Sequence, residues 1–260
     1  MEITVFCVFF IFAVGLMIGS FLDVCIERVP REISVVMPPS HCPACSHRLF
    51  GFDLIPVLSF ILLKGKCRYC GTQISFRSTA VELLTAGLFT LLYIRFGITL
   101  QILPLLVLAS VLIVVSFIDI DWRIIPHGPL LFAAGAGILY SLYTGALWGV
   151  TMALFASLCG ALPLYLMDIA GRLFFKKEGM GMGDVKLMAA VGPILGVQLT
   201  LFSLLAAIWI CALYAVFLLV MKKQEKSGYL PFGPFLAVGC MVAVFFGDSI
   251  ITWYWSLIAM

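Results

Sequence analysis

Two sets of side chains in this 260-residue sequence have the type and spacing to do chemistry. The first is acidic. Ser116-Phe117-Ile118-Asp119-Ile120-Asp121-Trp122-Arg123 closes one apolar run, and Gly179-Met180-Gly181-Met182-Gly183-Asp184-Val185-Lys186 opens another. Two carboxylates held together can share one proton. The ionised member activates a water and the neutral one polarises a carbonyl. Gly179, Gly181 and Gly183 would leave the backbone beside Asp184 bare, so an extended peptide could approach. The run is G-x-G-x-G with no strand before it, so it is not a nucleotide fingerprint. Plainer readings stand beside this one. Asp184 suits the first turn of a helix, and Asp121 could pair with Arg123 or face solvent. No H-E-x-x-H motif occurs, and His41, His47 and His127 lie on no helical i, i+4 pattern, which argues against serine-protease and zinc-protease chemistry.

The second set is Cys42-Pro43-Ala44-Cys45 and Cys67-Arg68-Tyr69-Cys70, two C-x-x-C pairs separated by 21 residues. This spacing fits a tetrahedral four-cysteine zinc site. Four protein ligands leave no open position, so the metal would be structural. Gly71 suits the turn after the second pair, and His41 and His47 lie close enough to replace a ligand. The alternatives are free thiols or two redox dithiols.

These groups sit in a chain that is 63% hydrophobic and 11% charged, with mean hydropathy +1.16. Soluble domains run near 45–50% apolar and about 25% charged. The composition excludes a water-soluble globule and implies an all-α polytopic membrane protein. The net charge of +3 gives no footing for a nucleic-acid partner.

Apolar runs place eight spans at about 3–22, 80–94, 101–118, 129–144, 146–167, 185–197, 199–221 and 233–256. The short span 185–197 is interrupted by Pro193. The first run lacks a basic start and reads as a retained anchor. Residues 23–78 form the one long polar stretch, and 79–260 a seven-helix membrane domain. Alternating loops put fifteen of the sixteen Lys and Arg residues on one face, leaving only Arg95 opposite. The positive-inside bias makes that face cytoplasmic, with both termini outside. Both acidic motifs then lie at the cytoplasmic boundary, where an ionisable group is a functional candidate. Thr79 to Glu82 fits a capping box at the start of the second span, although Glu82 could also face the site. Lys186 and Asp121 are further possible supporting groups. Gly15-x-x-x-Gly19 and Gly192-x-x-x-Gly196 suit close helix contacts.

In this order the motifs resemble those of the bacterial prepilin peptidases, the type IV leader peptidase family of membrane aspartyl proteases. The matching pieces are Gly19 through Val24, Pro39 through Cys45, Ile55 through Ser59, Cys67 through Cys70, Val81-Glu82-Leu83, Phe117-Ile118-Asp119 with Pro126, Gly181 through Lys186, and Pro231-Phe232-Gly233-Pro234-Phe235. The resemblance implies catalytic Asp119 and Asp184, and the S-x-x-D context favours Asp119 over Asp121. It implies an inner-membrane enzyme with its active site facing the cytoplasm. The expected substrate is a prepilin or type II secretion pseudopilin with a short basic leader, cleaved after a glycine. Many members then methylate the new N-terminus from S-adenosylmethionine, an activity associated with the cytoplasmic domain. Two positions depart from the pattern: Asp23 stands where Asn is common, and His127 stands where an acid follows the proline. Three alternatives remain at this stage. They are a protease without methyl transfer, an ion-coupled transporter with acids near the midplane of broken helices, and a non-catalytic zinc-domain scaffold.

Overall fold

The structure is a computed structural model that describes residues 2–175, 181–221 and 230–258. Gly179, Lys176, Lys177, Lys222, Lys223 and Lys226 lie outside the described residues. The described chain is helical, without strands beyond two isolated bridges. It divides into two compact units, Met1–Ile102 and Leu103–Met260.

The first unit holds α1 (Glu2–Arg28), the short α2 (Leu58–Leu62) and α3 (Phe76–Phe96), with the four cysteines between α1 and α3. Glycines bring α1 against α3. A Cβ on Gly15 would stand 2.6 Å from the Ala86 Cα, and one on Gly19 would stand 2.6 Å from the Glu82 Cα. The first G-x-x-x-G motif is therefore a contact within one chain. α3 starts earlier than the capping-box reading expects. Its N-cap is Ser75, whose Oγ accepts from the Arg77 N–H at 3.2 Å. Glu82 is therefore two turns inside the helix and caps nothing there.

The second unit holds α4 (Ile102–Trp122, its first residue in the other unit), α5 (His127–Phe175), α6 (Met182–Val220), α7 (Gly233–Val242) and α8 (Asp248–Ile258). A π turn at Ala243–Gly247 joins the last two. Six helical segments are long and apolar enough to cross a membrane among the described residues. α5 has 49 residues and α6 has 39. At 1.5 Å per residue these reach about 74 and 58 Å, roughly twice a 30 Å bilayer core. Each breaks where a hairpin needs it, at Ala146 (φ 48°) in α5 and at Gly196 (φ 73°) in α6. Counting each as two passes restores the eight spans.

The breaks fall within two residues of the expected divisions, but the helix runs through Pro193 and ends at Gly196. Gly192 then lies against Ser157 of α5, so only the first glycine of that motif is a contact; Gly196 is the break. α4 is the most buried span, with 67% of its apolar window inside protein. Ile118 and Asp119 share that burial, while Ile120 and Trp122 in the same turn are exposed.

Candidate active site and metal centre

The acidic residues occupy helix ends. α4 continues past its expected boundary, which puts Asp119 in its last turn. The Arg123 N–H donates back to the Asp119 carbonyl at 3.0 Å, and Arg123 (φ 56°) turns the chain out of the helix. Asp184 lies in the first turn of α6, where its N–H donates to the Gly181 carbonyl at 3.0 Å. Asp119 is 7% exposed and Asp184 is 8% exposed. The two are close enough for Asp119 to act on Asp184 through Coulombic interaction. Asp121, two residues along, is exposed.

Their hydrogen bonding is unequal. Asp119 Oδ2 accepts from the Gly233 N–H at 2.9 Å. Gly233 opens α7, so the carboxylate meets the positive end of a helix. Asp184 Oδ1 is buried with no hydrogen-bond partner among the described residues. A buried oxygen of this kind needs a water or a substrate group to satisfy it.

Glycines let neighbouring groups approach closely here. A Cβ on Gly233 would stand 2.7 Å from Asp119 Oδ2, and one on Gly181 would stand 3.2 Å from Asp184 Oδ2. A Cβ on Gly183 would meet Ile125 at 2.8 Å. Lys186 is exposed, and its Nζ lies 3.4 Å from His127 Nε2. The structure therefore gathers Asp119, Asp184, Gly181, Gly183 and Gly233, while Asp121 is exposed and Lys186 lies beside His127. The Gly233 contact spans 114 residues and has no local sequence pattern. Its one signal was the motif Pro231-Phe232-Gly233-Pro234.

In the first unit Cys42, Cys45, Cys67 and Cys70 converge, with their sulfurs all within 4.8 Å of one another. Cys42 Sγ and Cys70 Sγ are 3.8 Å apart. Zn–S bonds of about 2.3 Å in a tetrahedron give S···S edges of about 3.8 Å. The two halves repeat one fold. Cys42 N–H donates to the His47 carbonyl, and Cys67 N–H to the Thr72 carbonyl. Ser46 N–H returns to Cys42 and Gly71 N–H to Cys67, with positive φ at both Ser46 and Gly71. Leu49 N–H donates to Ser40, as Ile74 N–H does to Gly65. Two such knuckles present four sulfurs to one point.

The thiols themselves favour a cation. The Thr72 hydroxyl and N–H hold Cys70 down to about 6. The Cys45 and Ala44 N–H groups hold Cys42 low as well. Against the His47 N–H, which favours its thiolate, burial and the neighbouring Cys70 and Cys42 sulfurs push Cys45 up to about 11. Four adjacent thiolates resist ionising together unless a cation sits between them. The donor set fits zinc, which would supply only structural cross-linking.

Neither histidine joins the cluster. The His47 ring lies against Tyr69 at 3.7 Å between centroids, and His41 Nδ1 sits 3.2 Å from the Pro39 carbonyl. Asp53 ties the domain together. It accepts from Arg68 Nε at 2.7 Å, the Tyr69 hydroxyl at 3.2 Å and the Phe50 N–H at 3.3 Å. Desolvation opposes its charge, but these donors hold its carboxyl below the usual range. Two partly buried polar links are also new. Glu82 Oε2 accepts from the Val57 N–H at 2.8 Å, and Asp23 Oδ2 accepts from the Ser78 hydroxyl at 2.6 Å.

A polytopic helical protein with buried carboxylates at helix ends and a four-cysteine domain has the parts of a multi-pass membrane protease. Residues 13–96 match the bacterial peptidase A24 N-terminal domain, and residues 106–216 match the type IV leader peptidase family. The chain is 39% identical over 246 residues to the prepilin leader peptidase/N-methyltransferase of Bacillus subtilis, covering 94% of this chain and 96% of that protein. It is 34% identical to the protein of that name from Aeromonas salmonicida, covering 95% and 94%. It is 32% identical to that of Pseudomonas aeruginosa, covering 92% and 90%. No solved structure matches it. The chain belongs to the type IV leader peptidase family.

Proposed function

We propose that this protein is an aspartyl endopeptidase that removes the leader of prepilins or type II secretion pseudopilins and then methylates the new N-terminus. Family membership supports the leader-peptidase activity. Methyl transfer rests on the names of the relatives, and would draw on S-adenosylmethionine as donor; we assign no residues to that donor. The observation that carries the aspartyl reading is the buried, unequal pair Asp119 and Asp184, with one oxygen of Asp184 left for a water or substrate.

In this reading the Gly233 N–H keeps Asp119 Oδ2 as an acceptor, so Asp119 is the base and Asp184 carries the proton. Asp119 takes a proton from water, and the water oxygen bonds to the scissile carbonyl carbon. Asp184 gives its proton to the carbonyl oxygen. Asp119 then gives its proton to the departing amide nitrogen as the C–N bond breaks, and the carbonyl re-forms as its proton returns to Asp184. Gly181 gives the extended substrate room beside Asp184, while Gly183 lets Ile125 pack against the start of α6. Residues 23–78 form the cytoplasmic domain, stapled by zinc on Cys42, Cys45, Cys67 and Cys70. The distribution of Lys and Arg supports a cytoplasmic active site in the inner membrane with both termini outside.

The test is incubation of a synthetic prepilin leader with the protein in lipid, followed by mass spectrometry of the product. Cleavage after the leader glycine is expected, with a gain of about 14 Da when S-adenosylmethionine is added. Cleavage without the mass gain would retain the protease and remove the methyltransferase.

A further inference from the structure

We propose that the segment 50–62 of the four-cysteine domain is an interfacial element seated in an anionic lipid leaflet beside α3. This reading stands on the membrane architecture and is independent of the proteolytic one. The position of α2 carries it. α3 has 21 residues, about 31 Å, which matches the thickness of a bilayer core. Its first residues, through Ser78, belong to the polar stretch, so Glu82 lies about one turn, roughly 6 Å, inside the hydrocarbon. The Val57 N–H, at the start of α2, donates to that Glu82 at 2.8 Å. Phe60 of α2 meets Phe76 edge-on with ring centroids 6.0 Å apart. α2 thus lies along the first turns of a membrane span.

Its other side chains face outward. Leu58, Ile61 and Leu62 are exposed, Leu62 at 79%. Upstream, Phe50, Phe52 and Ile55 line an open apolar hollow of about 710 Å³, with Phe52 at 80% exposure. Water is a poor solvent for so large a contiguous apolar surface. Asp53 is the one acid in the segment, and Arg68, Tyr69 and Phe50 already neutralise it.

The flanking charges identify the occupant. Arg48 precedes the segment and Lys64 and Lys66 follow it, all three exposed. An apolar face continuous with a span and bordered by cations suits acyl chains under anionic headgroups. A basic leader peptide would meet like charge there.

The test uses the full chain in nanodiscs. Tryptophan is introduced as Leu62→Trp or Phe52→Trp, and its added emission over wild type is measured with brominated acyl chains. Strong quenching by brominated lipid and none by aqueous iodide is expected. Quenching by iodide alone would show a solvent-facing surface and overturn the proposal. Quenching by neither would show a protein partner, a second copy included, and would also overturn it. Wild-type protein supplies a check free of substitution. Hydrogen exchange of the amides in 57–63 should be slower in phosphatidylglycerol discs than in phosphatidylcholine discs. Equal rates would remove the anionic-lipid assignment.

Discussion

Gly233→Ala isolates the contact between α7 and Asp119. Gly233 is outside the left-handed region, so alanine fits its backbone and the effect comes from the added methyl alone. That carbon would stand 2.7 Å from Asp119 Oδ2 and 3.2 Å from its Cγ, against ordinary contacts of 3.4 Å or more. The carboxylate must move by several tenths of an ångström, which breaks or bends its bond to the residue 233 N–H. A hydrogen bond to a charged group contributes about 1.5–3 kcal/mol. If that stabilisation is lost where charge is handled in the transition state, kcat falls about 10- to 150-fold. Gly233 touches Asp119 rather than the peptide, so KM should hold. The assay is initial-rate cleavage of a prepilin leader in lipid across substrate concentrations, with thermal unfolding as the control for folding. A well-folded Gly233→Ala enzyme with wild-type kcat would refute the positioning of Asp119 by α7. A rise in KM alone would place Gly233 in substrate binding instead.

Other substitutions test the scaffold. Gly19→Leu forces a side chain into the α3 backbone at Glu82 and should destabilise the α1–α3 pair by about 1–3 kcal/mol, read as a lowered melting temperature in detergent. A Gly87→Leu control, where a Cβ meets nothing within 4 Å, should melt like wild type. Cys67→Ser should reduce bound zinc from about one per chain to near none by elemental analysis. The same change should open residues 40–75 to limited proteolysis; full zinc content would contradict the four-thiolate centre.

Much of this architecture is legible because membrane spans are long and compositionally loud. The eight spans, the polar stretch and the four cysteines follow from apolar runs and local spacing. Helix ends were harder. Ser75 rather than Thr79 starts α3, since the caps of a helix depend on which turn the chain enters from. Glu82 looked like a capping residue because its spacing from Thr79 is right, yet it serves the Val57 N–H, 25 residues away. The two knuckles share the same hydrogen bonds, but their sequences share little beyond the cysteines. Backbone bonds fix that fold, so residue types barely record it. The Gly233–Asp119 contact is the extreme case, because nothing near either residue specifies a partner 114 positions away. Asp119 and Asp184 were visible as chemistry, while the asymmetry of their hydrogen bonding required the fold.

The most direct measurement is leader cleavage in lipid by Asp119→Asn and Asp184→Asn, with Asp121→Asn as the comparison. Each of the first two should lose at least about 100-fold in rate while staying folded in the membrane. Asp121→Asn, altered at an exposed side chain, should cleave within a few-fold of wild type. Retained cleavage by Asp119→Asn or Asp184→Asn, or loss confined to Asp121→Asn, would contradict the assignment of the catalytic pair.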